Sequence, residues 1–270
     1  MKTNSIQDLV VFSWNGREEP LQNVQFDTKP SFTICLFNYS GSDQQPTMAP
    51  DRSVGDVFSF KTEFKGELLL RLQEATAHRP YRYIGVLDDD HQISISSINR
   101  LLEIATDLAA DSFQPSIDPR SFYSHRRFLQ KPGAMPERVG WIEIMAPFVR
   151  KEIFDLAAPF YSQSISSYGI DRYVYPYIQR KYKMDRRFLI HEITLRHLKP
   201  VTSGLKLLSN GLDALEEYEL LRLAILQKIR VEKVPFTRWE LFRIYEVGMP
   251  PLFKWRDNFI RAKEKWSGKR

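Results

Sequence analysis

The chain has 270 residues, 43% of them hydrophobic and 27% charged; this excludes a disordered or fibrous protein and leaves enough length to bury a substantial core. Its 39 Lys and Arg exceed its 33 Asp and Glu by a formal charge of +6, a modest excess that suits anionic substrates or acidic lipid, with no nucleic-acid partner expected. One cysteine, Cys35, excludes an intrachain disulfide framework and fits a reducing compartment.

In chain order, residues 8–14 and 31–37 read as short strands, the second holding Cys35 as a small hydrophobe. A loop of turn formers, 38–43, follows, then a strand at 56–60 and a helix over 66–77. Residues 81–87 form an apolar strand, and apolar spacing over 94–110 predicts a helix with Ser94, Ser96 and Ser97 as candidate caps. A short strand is expected near 112–114, a polar loop through His125, Arg126 and Arg127, a strand over 139–145 and a helix over 150–157. A helix over 170–181 and a strand over 187–197 complete an alternating pattern that argues for an α/β sheet. From about residue 205 the pattern turns helical, strongly over 214–228 and weakly over 239–247, which suggests an appendage spanning 205–270 after a sheet domain spanning 1–204.

The N-terminus is too weakly apolar for a secretory signal, and no apolar run is long enough to span a bilayer, so a cytoplasmic protein is expected. The stretch 253–270 is basic and carries Phe253, Trp255, Phe259, Ile260 and Trp266. It reads either as a peripheral contact with an anionic membrane face or as an amphipathic helix that packs on the sheet domain.

Three consecutive carboxylates, Asp88, Asp89 and Asp90, follow directly on the apolar strand 81–87. Clustered like charges raise one another's pKa and call for a compensating cation. A hard divalent ion with oxygen ligands suits them, and its remaining coordination sites suit phosphate oxygens. The competing reading gives these aspartates to turns and helix caps. Open α/β sheets place ligands beyond strand C-termini, which favours the metal or phosphate reading. No Gly-x-Gly-x-x-Gly, no phosphate-binding Gly-x-x-x-x-Gly-Lys-Ser/Thr and no zinc-spaced Cys/His cluster occurs, which weakens dehydrogenase, kinase and ATPase assignments.

Several segments form an ordered series: Tyr83-Ile-Gly-Val-Leu-Asp-Asp-Asp90, Phe113-Gln-Pro-Ser116, Gly140-Trp-Ile-Glu-Ile-Met-Ala-Pro-Phe148, Tyr168-Gly-Ile-Asp171 and His197. The series resembles the GT-A class of nucleotide-sugar-dependent glycosyltransferases. Within the class it is similar to an uncharacterised group of glycosyltransferase-like proteins found in plants and bacteria. The resemblance runs from about residue 31 to 200 and implies a GT-A-like, Rossmann-like mixed sheet flanked by helices. It implies Mn²⁺ or Mg²⁺ held by Asp88, Asp90 and His197, a nucleotide-sugar donor, and a saccharide or glycolipid acceptor. A bacterial surface polysaccharide or lipopolysaccharide acceptor would suit a basic protein at the inner leaflet.

By the same resemblance Asp171 is the general base for the acceptor hydroxyl, with the inverting mode favoured; otherwise it is a helix-terminal charge. Asp88 and Asp89 would touch the donor, as would Tyr39 and Asp43 on the loop after the second strand. Glu143, set among apolar neighbours, is expected to share a strand face with Trp141 and Met145 and to contact a sugar hydroxyl, the alternative being a buried ion pair with an arginine. Lys65 is expected to hold a donor phosphate, or else to lie on the surface. His191 competes with His197 for the metal. The run of three aspartates leaves the register of the Asp-x-Asp pair open by one residue. Two other functions remain open: a metal-dependent phosphotransferase or nuclease using the same aspartates, and a non-catalytic module binding through its basic tail.

Overall fold

The computed structural model describes residues 7–47, 54–200, 206–237 and 240–241. The basic stretch 253–270 and most of the weak helix expected over 239–247 lie outside these residues.

The strands are β1 (Gln7–Trp14), β2 (Val24–Gln25), β3 (Thr33–Asn38), β4 (Asp56–Ser59), β5 (Tyr81–Leu87) and β6 (His91–Ser94). They continue with β7 (Ser112–Ile117), β8 (Glu137–Arg138), β9 (Phe148–Arg150) and β10 (Arg187–His197). Leu9 to Trp14 are buried on both faces of β1, as expected for a strand covered by helices above and below. β1 pairs in parallel with β3 and β5, and β4 extends that half in parallel from β3. The other half is built on β10, parallel to β7 and antiparallel to β6 and β8. β9 joins the halves, antiparallel to both β5 and β7. Among the described residues the order is β2-β6-β10-β7-β9-β5-β1-β3-β4, with β8 also on β10.

The helices are α1 (Lys65–Thr76), α2 (Ile95–Asp107), α3 (Lys151–Leu156), α4 (Ala158–Tyr161), α5 (Tyr175–Lys181) and α6 (Ala214–Glu232). α2 buries Ile95, Ile98, Leu101, Leu102 and Ala105 at helical spacing against β10, and Ser94 caps it by accepting from the Ser97 amide. α6 starts on a capping box, with Asp213 accepting from the Glu216 amide and Glu216 accepting from the Asp213 amide. Its buried residues Tyr218, Leu221, Ile225 and Ile229 join the same hydrophobic core as the strands. No helix of the described residues is long and apolar enough to cross a membrane.

Two expectations need correction. Residues 139–145 form no strand: only Glu137–Arg138 pair as β8, and the next strand is β9. The backbone donors there go elsewhere, Val139 N–H to the Arg187 carbonyl, Glu143 N–H to Gln114 Oε1 and Ile144 N–H to Asp171. Trp141, Ile142, Glu143 and Met145 are all buried, so no alternating face exists and Glu143 does not share one with Trp141 and Met145. The strand expected at 112–114 also runs on to Ile117, through Pro115. β9 covers only Ser112 and Phe113, so Pro115 lies where the missing N–H interrupts no ladder on that side.

Candidate active site

The three aspartates sit where the parallel strands end. Asp88 follows the last residue of β5, and β6 begins at His91. The turn is pinned at its backbone. Asp89 N–H donates to Ser13 Oγ (3.0 Å), Asn23 Nδ2 donates to the Asp89 carbonyl (2.7 Å), and Leu198 N–H donates to the Asp90 carbonyl (3.0 Å). β1, the loop after it and the end of β10 thus hold the carboxylates in place.

Each carboxylate has its own partner. Asp88 is paired with Lys65 Nζ at 2.9 Å, and the same ammonium donates to the Met145 carbonyl at 2.7 Å. Asp89 accepts from the Tyr39 hydroxyl (2.9 Å) and lies 3.7 Å from Lys199 Nζ. Asp90 Oδ2 lies 3.3 Å from His197 Nε2, while Asp90 Oδ1 is buried with no hydrogen-bond partner. Burial drives the Asp88 and Asp89 pKa values up, and neither Lys65 nor the Tyr39 bond reverses it. Burial acts the same way on Asp90 and is the largest single effect, but the bond from His197 together with the charges of His197, His91 and Lys199 outweighs it and the net direction is down. For His197 burial lowers the pKa, the Asp90 contact outweighs it, and the net direction is up. Asp90 and His197 thus each favour the other's charged form.

The donor set at Asp90 fits a divalent cation. His197 Nδ1–H donates to the Phe122 carbonyl at 3.0 Å, which reserves Nε2 for a ligand. A metal-bound histidine typically anchors its second ring nitrogen in this way. One ligand atom from each of Asp90, His91 and His197 lies within 4.8 Å of the others. His91 is chemically different from the other two. Its Nδ1 accepts from the Asp88 amide at 3.0 Å, so Nε2 carries the proton of a neutral ring, and burial holds its pKa well below the usual range. Nε2–H is buried without a partner, a donor facing the site rather than a lone pair. Asp90 and His197 are the ligands the geometry offers. Asp88, expected beside them, is taken up by Lys65. His191 lies away from this cluster, 3.4 Å from Glu137 and accepting from the Lys131 amide.

Across from the aspartates sit two buried carboxylates. Asp171 lies in a π-helical turn, Ile170–Val174, that begins after Gly169 at φ +87°. Its Oδ2 accepts from the Ile144 amide at 3.1 Å, yet burial pushes its pKa up to about 6. Glu143, the residue before Ile144, is 4% exposed and its Oε2 has no partner. Burial first, and the nearby Asp171 charge second, raise it to about 8. Among the described residues no arginine pairs with it, against the ion-pair alternative. The turn 143–145 links the two groups of carboxylates: Ile144 N–H holds Asp171, and the Met145 carbonyl holds Lys65, which holds Asp88.

Of the residues expected from sequence, Lys65, Tyr39, Asp88, Asp89, Asp90, His197, Glu143 and Asp171 thus gather at this end of the sheet. Asp43 is exposed in the loop after β3, outside this network. Sequence reasoning assigned no role to His91, Gln114 or Lys199. The first follows the aspartate run, and the second lies in the Gln-Pro-Ser segment, so adjacency to the motifs was the available signal. Nothing in the sequence near Lys199 marks it.

No family model and no curated protein matches the chain. Solved structures do. The chain is similar to S. aureus TarS 1-349 in complex with UDP-GlcNAc (TM-score 0.55), to S. aureus TarS 1-349 alone (0.53) and to S. aureus TarS 1-349 in complex with UDP (0.52). Each match is 9% identical and covers 98% of this chain and 76% of that one. At that identity the likeness is one of fold, and it agrees with the GT-A-like mixed sheet expected from the sequence.

Proposed function

We propose that the protein is a metal-dependent glycosyltransferase that moves a sugar from a nucleotide-sugar donor to an acceptor hydroxyl. The observation that carries this reading is a candidate cation pair, Asp90 Oδ1 with His197 Nε2, beside an aspartate run whose first member, Asp88, is tied through Lys65 and the turn 143–145 to a second buried carboxylate, Asp171, of pKa about 6. The UDP-GlcNAc and UDP complexes of S. aureus TarS support a nucleotide-sugar as the donor class.

Mn²⁺ or Mg²⁺ at Asp90 and His197 would supply Lewis-acid stabilisation of the departing diphosphate. Lys65 adds a fixed positive charge on that side. Asp88 and Asp89 orient the donor, with Tyr39 holding Asp89; Asp43, exposed on the loop after β3, would have to reach the nucleotide from outside this network. On the acceptor side Asp171 takes the hydroxyl proton while the acceptor oxygen forms its bond to the anomeric carbon. The bond from that carbon to the diphosphate oxygen breaks, and the nucleoside diphosphate leaves with its electron pair. This single displacement inverts the anomeric centre. A pKa near 6 leaves Asp171 ionised at neutral pH and still basic enough to accept a proton. Glu143, largely protonated there, hydrogen-bonds a sugar hydroxyl through Oε2. A saccharide or glycolipid acceptor, a cytoplasmic location and membrane contact through the basic stretch 253–270 belong to the same reading.

The test is binding followed by turnover. Isothermal calorimetry with UDP and UDP-GlcNAc is run with Mn²⁺ and with EDTA, and UDP release is then followed with candidate saccharide acceptors. Metal-dependent binding with acceptor-stimulated UDP release is expected. Absence of binding to every nucleoside diphosphate and nucleotide-sugar in the presence of Mn²⁺ would refute the proposal.

A further inference from the structure

We infer that Glu217 on α6 is a positioning residue for Asp171: its buried carboxylate holds the loop 164–169 in the shape that carries Asp171 to the Ile144 amide. The inference rests on Asp171 being the base of the proposed reaction.

Glu217 is 1% exposed, and both its oxygens are fully used. Oε1 accepts from Ile165 N–H (2.9 Å) and Asn210 Nδ2 (2.8 Å); Oε2 accepts from Ser166 N–H (2.9 Å) and Ser166 Oγ (2.6 Å). A buried charge is costly unless such bonds compensate it. Here all four donors are neutral, and three belong to the loop before Asp171. Glu217 also sits in the first turn of α6, where the helix dipole favours an anion.

The loop needs an external hold. Ser167 has φ +70° and Gly169 φ +87°, two left-handed residues within three positions. For a non-glycine residue that conformation costs on the order of 1–3 kcal/mol and persists only when surroundings enforce it. Ser164 Oγ donates to the Tyr168 carbonyl (3.1 Å), closing the loop on itself. At its far end α6 touches it again: a Cβ on Gly169 would lie 3.3 Å from Leu221 and from Tyr218, and 3.1 Å from Tyr173. The Gly169 carbonyl then accepts from Tyr173 N–H (2.8 Å), opening the π-helical turn that presents Asp171. α6 therefore grips the loop at Ile165–Ser166 by hydrogen bonds and at Gly169 by packing. Asp89, Asp90 and His197 have their partners on the strands and the loops that flank them; Asp88 is held by Lys65 at the start of α1, where the neighbouring Gly66 N–H donates to the Ile165 carbonyl (3.0 Å). The consequence is that α6 sets the acceptor side, while the Asp90–His197 pair is held independently of it.

Glu217→Gln separates these roles. Glutamine keeps the shape and one acceptor oxygen, but turns an NH₂ toward donors. In the full-length protein, amide hydrogen exchange of segment 164–171 is expected to rise at least tenfold while that of β1, β5 and β10 stays within twofold. Turnover should fall at least tenfold with Mn²⁺-dependent UDP affinity within twofold. The acid limb of the rate–pH profile should move to higher pH, because the Ile144 bond that favours the Asp171 anion is weakened. Ser166→Ala removes one donor, keeps the charge and should give the same pattern more mildly; it carries the test if Glu217→Gln does not fold. Unchanged exchange in 164–171, or an equal loss of UDP binding and turnover, would overturn the inference. Failure of the wild type to transfer any sugar would instead sink the proposed function, and the exchange measurement would still decide whether Glu217 holds the loop.

Discussion

Glu143→Gln removes a buried titratable carboxyl while nearly keeping its shape. The Glu143 carboxyl is raised from 4.5 to about 8, first by burial and then by Asp171. A carboxyl raised in this way binds its proton more tightly folded than unfolded. Its contribution to stability is full below about pH 4.5, declines as pH rises through the window between the two values, and levels off above about pH 8. At 1.36 kcal/mol per unit, wild type at pH 7 lies about 3 kcal/mol below its acid-side stability on account of this group, and about 5 kcal/mol below at pH 9. Glutamine stands in for the neutral acid and carries no such slope. For a chain of this size about 1 kcal/mol shifts the melting temperature by roughly 2–4 °C. The variant should therefore melt roughly 6–12 °C above wild type at pH 7, with a smaller gap at pH 5 and a larger one at pH 9. Thermal unfolding in EDTA at pH 5, 7 and 9 measures this. Wild-type and variant melting temperatures that run parallel across that range would refute the argument, since Glu143 would then be charged in both states.

Asp171→Asn should lower turnover by ~10²–10⁴-fold with nucleotide affinity nearly unchanged, and wild-type turnover should fall below about pH 6 as Asp171 gains its proton; transfer at the wild-type rate by the variant would reduce Asp171 to a structural carboxylate. Asp90→Asn and His197→Ala should each abolish Mn²⁺-dependent strengthening of UDP binding in calorimetry while leaving the fold intact, and an unchanged affinity in both would remove the proposed cation site. Gly66→Ala places a Cβ 1.8 Å from the Ser164 carbonyl oxygen and 2.7 Å from that of Ile165. The start of α1 must then move, at a cost of roughly 1–3 kcal/mol, read as a lower melting temperature; an unaltered melt would show that the loop yields freely.

What the sequence revealed and what it hid follow one physical line. Runs with strong periodicity, 81–87, 187–197 and the amphipathic α2, were legible because burial dictates their spacing. The 139–145 segment was not, because its alternation of Trp141, Glu143 and Met145 mimics a strand while its amides serve Gln114 and Asp171 instead of a ladder. The short strands β2, β6 and β8 have two to four residues and exist only through partners distant in sequence, which no local pattern records. Asp88, Asp89 and Asp90 stood out as a run after an apolar strand, Glu143 as a carboxylate among apolar neighbours, and Asp171 through the resemblance. Their partners were found less well. Lys65 was named for its place at a helix start, but that it grips Asp88 depends on a contact across 23 positions. Lys199 and Glu217 reach the site by contacts across 110 and about 50 positions, and neither stands in a motif.

The aspartate run itself shows how far a local argument reaches. Three adjacent carboxylates at a strand end repel one another, and the sequence suggested that a divalent cation must relieve them. The fold divides that task among four side chains: Lys65 takes Asp88, Tyr39 with Lys199 takes Asp89, and His197 takes Asp90. Each carboxylate therefore has a partner supplied by the fold itself. It also separates the aspartates by role, which the repeated letter in the sequence could not. Asp88 and Asp89 keep engaged oxygens and fixed orientations, whereas Asp90 alone retains a buried oxygen with nothing bound to it. A buried acceptor left open beside a histidine whose other nitrogen is already anchored is what a metal-binding pair requires. On the proposed reading, Asp90 is the member of the run that would hold the cation.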